Sequence, residues 1–302
     1  MPPRPARSAS VAIVLLAALS QMPRLFAQTA RRGGQDTVIF AVEKFDAVQI
    51  EPVVIYRRGA FVKPPVEETD APGQSVENRA QAFVKEYFRP GRRLRLLFGG
   101  GESGSVSVVK YIEPGCVGLW AEVKAETQAK LGGNVQALAT DSATLGRGPS
   151  SRRAPTEQER AEALELARAA YAKNGVGAAL VKKMQVTNLT ATDLDRDGKS
   201  ELVGSFLIDT RANSNEPIDE AYALFVIFEP AGDKLKAGMT WFHHGSEAEF
   251  AERRFVDQLD IDGDGVGEVI AEGRYYESND YVIYKRRQGR WQSVYQGGGG
   301  GC

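Results

Sequence analysis

Two stretches of this chain share one layout, and no other feature restricts the fold as much. Asp193-Leu194-Asp195-Arg196-Asp197-Gly198-Lys199-Ser200-Glu201 and Asp260-Ile261-Asp262-Gly263-Asp264-Gly265-Val266-Gly267-Glu268 carry carboxylates at positions one, three, five and nine and glycine at six, 67 residues apart. Alternate carboxylates on a tightly curled loop converge on one centre, and glycine permits the sharp turn there. Such a cluster is costly unless a cation sits among the charges. A hard cation such as Ca²⁺ takes about 6–8 oxygens at roughly 2.3–2.6 Å, and a backbone carbonyl at position seven can add to the set. The spacing therefore predicts two Ca²⁺ sites. Their ligands are Asp193, Asp195, Asp197, Lys199 (carbonyl) and Glu201 in one, and Asp260, Asp262, Asp264, Val266 (carbonyl) and Glu268 in the other.

One such loop alone would read as an ordinary Asp-Gly turn, but two copies with the same internal spacing, each followed by apolar residues, do not. An EF-hand needs a bidentate Glu at position twelve and flanking helices. Position twelve here is Gly204 or Ala271, and residues 202–208 and 269–276 read as strands.

The pattern Asp-x-Asp-x-Asp-Gly-x-x-Glu followed by apolar residues resembles the calcium loops of FG-GAP and VCBS repeats, the blade units of integrin-type β-propellers, over about residues 183–296. The resemblance implies that each loop joins two strands of a four-stranded antiparallel blade and that the ion stiffens the turn. Fitting hairpins follow each loop, at 221–228 with 234–241 and at 281–286 with 290–295. Propellers need several blades to close, and only two loop-bearing units are visible, although residues 53–61 echo 282–291. The expected fold is mainly β with a few helices, built from propeller-like four-stranded units. A partial or small propeller and two packed β-sheets both remain open. Such modules occur in adhesins, in binding proteins and as appendages to enzymes, so the resemblance implies little about activity.

The rest of the chain reads as an N-terminal β-rich lobe at 36–130, a linker at 131–155, a helical segment at 156–182 and a C-terminal lobe at 183–302 that carries both loops. In the first lobe, strands are expected at 37–42, 48–56, 94–98, 106–112 and 117–123. Val76, Ala80, Phe83, Val84 and Tyr87 fall at helical spacing before Arg89-Pro90-Gly91 stops the run. Thr156 and Glu159 form a capping box that opens the clearest helix, which Asn174-Gly175 closes.

Residues 1–27 read as a secretory signal: Arg4 and Arg7, an apolar run at 11–19 too short to span a bilayer, and Leu25-Phe26-Ala27 before the cut. The expected location is periplasmic or extracellular, with no membrane span in the mature chain. Cleavage removes three arginines and no acid, taking the net charge from −1 to −4, so nucleic acid is not an expected partner. Export permits a disulfide between Cys116 and Cys302, the only cysteines; a free thiol or a link to another chain are the alternatives. The tail at 297–301 is all glycine and reads as flexible.

Other chemical-looking features read as structural. His243 and His244 are adjacent and so point to opposite faces of a strand. Gly99-Gly100-Gly101 lacks the Gly-Lys-Ser/Thr ending of a phosphate loop and reads as a hairpin turn. Tyr275, Tyr276, Tyr281, Tyr284, Trp291 and Tyr295 suit either a sugar-stacking face or, more simply, a core. Asn188-Leu189-Thr190 matches a glycosylation acceptor. The sequence therefore predicts an exported, non-enzymatic protein in which Ca²⁺ is structural, with a protein or glycan ligand. A secreted hydrolase acting on polysaccharide or peptide is the alternative reading.

Overall fold

A computed structural model describes Met1 and residues 36–66, 75–113, 117–211 and 217–302. The expected signal segment beyond Met1, and Cys116, lie outside the described residues.

Strand β1 (Thr37–Lys44) is buried on both faces. Its Val38, Phe40 and Val42 point into one core, and its Ile39 and Ala41 into another. That double burial is why the run is apolar without alternation. Strands β2 (Val48–Arg57), β3 (Ala60–Val62), β4 (Arg93–Phe98), β5 (Gly101–Ile112), β6 (Trp120–Thr127) and β7 (Ala137–Thr140) follow. The hydrogen-bonded order β1-β7-β4-β5-β6-β2, with β2 pairing back onto β1, closes six strands into an antiparallel barrel, and β3 extends β2. Helix α1 (Val76–Tyr87) starts at Ser75, whose hydroxyl accepts from the Asn78 amide. Phe83, Tyr87 and the following Phe88 pack on Phe40, with ring centroids 6.1, 5.8 and 6.0 Å away. Each such buried ring contributes roughly 1.5–3 kcal/mol.

Helix α2 (Glu157–Lys173) opens on the expected Thr156/Glu159 capping box, and α3 (Ala178–Val181) adds one turn. Two four-stranded antiparallel meanders come next. The first comprises β8 (Gln185–Thr192), β9 (Glu201–Asp209), β10 (Ala221–Ala231) and β11 (Lys234–Gly245). The second comprises β12 (Ala251–Leu259), β13 (Glu268–Tyr275), β14 (Ser278–Arg287) and β15 (Arg290–Gly301). The layers stack in one direction. Ala163, Ala167 and Tyr171 of α2 cover one face of the first meander against Phe206 and Phe228. Its other face, through Val203, Phe225 and Ile227, meets Phe255, Val269 and Tyr284 of the second. The far face of the second, through Ile270, Tyr281 and Ile283, packs on the outside of the barrel at Ile39, Val53 and Leu138. No helix among the described residues is long and apolar enough to cross a membrane.

The N-terminal sheet is a closed barrel, and α2 and the barrel cover the two outer faces of the meander pair. Three expectations change. The stretch 131–155 is more than a linker, because Ala137–Thr140 is the strand that joins β1 to β4 and closes the barrel. The glycine tail is strand, not tether. A Cβ at Gly298 would lie 2.7 Å from the Val53 carbonyl and one at Gly300 2.4 Å from that of Val117, so only glycine lets β15 wedge against the barrel. Asn188 is buried, with its amide donating to the Asn134 carbonyl at 2.9 Å, which removes it as a glycosylation acceptor in the folded protein.

Candidate metal centre

Each acidic loop joins the first and second strands of its meander, β8 to β9 and β12 to β13. Position one organises both. Asp193 accepts from the amides of Asp197 (3.2 Å) and Gly198 (3.0 Å). Asp260 accepts from those of Gly263 (2.8 Å) and Gly265 (3.2 Å). The curl needs left-handed backbone at positions four and six. Gly263 and Gly265 supply it at φ 79° and 96°, Arg196 and Gly198 at 59° and 87°. Position nine closes each loop from the strand. Glu201 accepts from the Leu194 amide at 2.9 Å and Glu268 from the Ile261 amide at 2.7 Å. The loops also touch, with the Gly267 amide donating to the Leu194 carbonyl at 2.6 Å.

Ligand atoms of Asp193, Asp195 and Asp197 lie within 4.8 Å of one another, as do those of Asp260, Asp262 and Glu268, so either triple has the spacing to hold a metal ion. Glu201 stands outside the first triple and Asp264 outside the second. Position seven enters through its amide: Lys199 donates to Asp197 at 2.7 Å and Val266 to Asp264 at 3.0 Å. One oxygen at position three, Asp195 Oδ1 or Asp262 Oδ1, is buried without a hydrogen-bond partner in each loop. A buried bare carboxylate oxygen is costly, and a cation at the centre of the loop would satisfy it. Burial, together with the charges of Asp195 and Asp193, pushes Glu201 up to about 7.

The two loops differ in their counter-charges. Among the described residues, the ion pair on the first triple is that of Arg286, whose guanidinium reaches Asp195 Oδ2 at 3.1 Å. In the second, the Lys285 ammonium lies 2.7 Å from Asp262, 2.6 Å from Asp264 and 2.8 Å from Glu268. Burial draws the Lys285 ammonium down, but those three carboxylates outweigh it and hold it above its ordinary value. Sequence reasoning missed both cations. The signal for Lys285 is a charge that continues the inward-facing alternation Tyr281, Ile283, Lys285.

The other candidates are structural. His243 stacks on Trp241 (5.9 Å) and His244 on Tyr222 (4.3 Å), on opposite sides of β11. Gly99 and Gly100 form the turn between β4 and β5. Of the six C-terminal aromatics, Tyr281, Tyr284, Trp291 and Tyr295 are buried, so the cluster belongs mainly to the core. Compared with protein-family models, curated proteins and solved structures, the chain finds no match in any of the three.

Proposed function

We propose that this is an exported, non-enzymatic β-repeat protein of FG-GAP/VCBS type, in which Ca²⁺ held by the acidic loops stiffens a two-meander stack that presents a surface to a protein or glycan ligand. The convergence of Asp193, Asp195 and Asp197 beside a buried, unpartnered Asp195 oxygen carries the reading. Ca²⁺ would be held there by those three carboxylates, with Glu201 closing the loop behind them. The ion supplies positive charge and a fixed geometry, not a reaction. Because the ligands converge only in the folded chain, binding adds to folding stability by mass action. Extracellular sites of about 10⁻⁴–10⁻³ M suit an exported protein. At a calcium concentration tenfold above such a Kd the gain is about 1.4 kcal/mol.

Thermal unfolding in the presence of calcium and of a chelator tests the reading. Calcium should raise the melting temperature, and Asp195→Ala should remove at least part of the rise. Identical melting curves with and without calcium would overturn the metal role.

A further inference from the structure

We infer that Lys285 is the resident cation of the second loop, so that this loop is closed without metal and Ca²⁺ binds at the first loop alone. The inference deepens the proposed metal role of the loops and rests on it.

The Lys285 ammonium lies at hydrogen-bond distance from Asp262, Asp264 and Glu268, loop positions three, five and nine. That uses all three donors of an ammonium. Two of those residues, Asp262 and Glu268, belong to the triple that would hold a metal ion. A divalent ion at the same centre needs their oxygens at about 2.3–2.6 Å, and two cations do not share them at such distances. The ammonium is not a surface charge that has strayed inward, since the Lys285 side chain is 10% exposed and Glu268 0%.

Strand register explains why only one loop has this arrangement. The β13–β14 ladder pairs Val269 with Tyr284, and one step further it sets Glu268 opposite Lys285. The β9–β10 ladder pairs Leu202 with Phe228, and the same step sets Glu201 opposite Glu229. The first meander thus has a carboxylate where the second has an ammonium. Glu229 is itself engaged elsewhere, by the Trp291 indole (3.0 Å), Lys236 (3.2 Å) and Arg286 (3.4 Å). Among the described residues, the first loop receives a single cation contact, Arg286 to Asp195 at 3.1 Å, where Lys285 reaches three carboxylates of the second.

Isothermal titration of the full chain with calcium chloride, up to about 5 mM to exceed typical extracellular affinities, counts the sites. The expected stoichiometry is one calcium per chain for the native protein, none for Asp195→Asn, and two for Lys285→Met, which keeps the apolar stem and removes the charge. If Lys285→Met does not fold, Lys285→Met/Asp264→Asn, with one of the freed carboxylates neutralised, should still bind two. Two calcium ions on the native protein would overturn the inference and leave the metal role standing, and so would one ion on both the native and the Lys285 variants. No binding to the native protein but one ion on Lys285→Met would uphold the resident cation and remove the metal role of the first loop. No binding to any variant would overturn both.

Discussion

Arg152 and Asp257 meet where the barrel, the connecting stretch and the second meander join, and removing the arginine should destabilise the fold strongly. Asp257 is 0% exposed and Arg152 4%, with 3.7 Å between their charged atoms. Asp257 accepts from the Gly99 amide at 2.8 Å and from that of Gln258 at 2.9 Å. Arg152 donates to the Gln136 and Val256 carbonyls, both at 2.9 Å, and its guanidinium lies 4.6 Å from the Phe98 ring and 4.9 Å from that of Phe255. Arg152→Met leaves a carboxylate buried without its counter-charge and two carbonyls without a donor. Breaking a buried pair this way costs about 3–5 kcal/mol. For a domain of this size each kcal/mol lowers the melting temperature by roughly 2–4 °C, so a fall of about 10 °C is expected. Burial already pushes Asp257 up to about 6 against the pull of Arg152, and the variant should carry it higher. A carboxyl whose folded pKa is raised loses stability as pH climbs from the unfolded value through the folded one. The deficit of Arg152→Met should therefore be larger at pH 8 than at pH 5, and Asp257→Asn added to it should restore part of the loss at pH 8. Urea denaturation at the two pH values measures both. A deficit under about 1 kcal/mol, or one equal at both pH values, would refute the reasoning.

Glu51 should give the native protein a second pH-dependent limb. It is buried between barrel and second meander, where Tyr281 and Asn279 donate to it at 2.6 and 2.8 Å, and burial with the nearby Glu43 and Glu272 charges pushes it up to about 7 while Arg274 pairs with both neighbours. Since the folded form keeps a proton that the unfolded chain has released, stability should fall as pH rises from about 4.5 to 7, and Glu51→Gln should flatten that limb by up to roughly 3 kcal/mol; an unchanged slope in denaturation curves of the variant would count against it. Val117, the residue after Cys116 in the chain, exchanges backbone hydrogen bonds of 3.1 and 2.8 Å with Gly301, the residue before Cys302. Peptide mapping without reduction should recover the two cysteines in one linked fragment, and reduction should cost about 2–5 kcal/mol; alkylation of either thiol in unreduced, denatured protein would exclude the link.

Local signals carried well into the structure. The Thr156/Glu159 capping box, the 3.6-residue spacing from Val76 to Tyr87, the turn at Gly99 and the curl of both acidic loops each depend on residues within one or two turns of one another, and each formed as the sequence indicated. What was not legible depends on contacts between distant residues. Ala137–Thr140 is too short and too plain to announce a strand, and only the open edges of β1 and β4 give its backbone a purpose. The glycines of the tail look like a tether until the carbonyls of Val53 and Val117 show why no side chain fits. Lys285 and Asp264 lie 21 residues apart and meet only because β14 runs beside β13.

The stack also accounts for the unequal counter-charges of the two loops. A four-stranded meander has two apolar faces, and each must be covered. Here α2 covers the outer face of the first, the meanders cover each other, and the barrel covers the last. Glu201 shares the alternation of Val203 and Glu268 that of Ile270, so both point along the stack toward the barrel. For the first loop the next layer is the second meander, which offers Arg286 to Asp195. For the second loop the next layer is a barrel with a different strand order. Its carboxylates at positions three, five and nine are paired from within its own sheet instead, by the residue directly across from Glu268. A single alternation step on β14 thus separates the cation given to the neighbouring loop, Arg286, from the one kept for its own, Lys285. Exchanging the two side chains should therefore disturb both loops at once, whereas changing either alone should disturb only one.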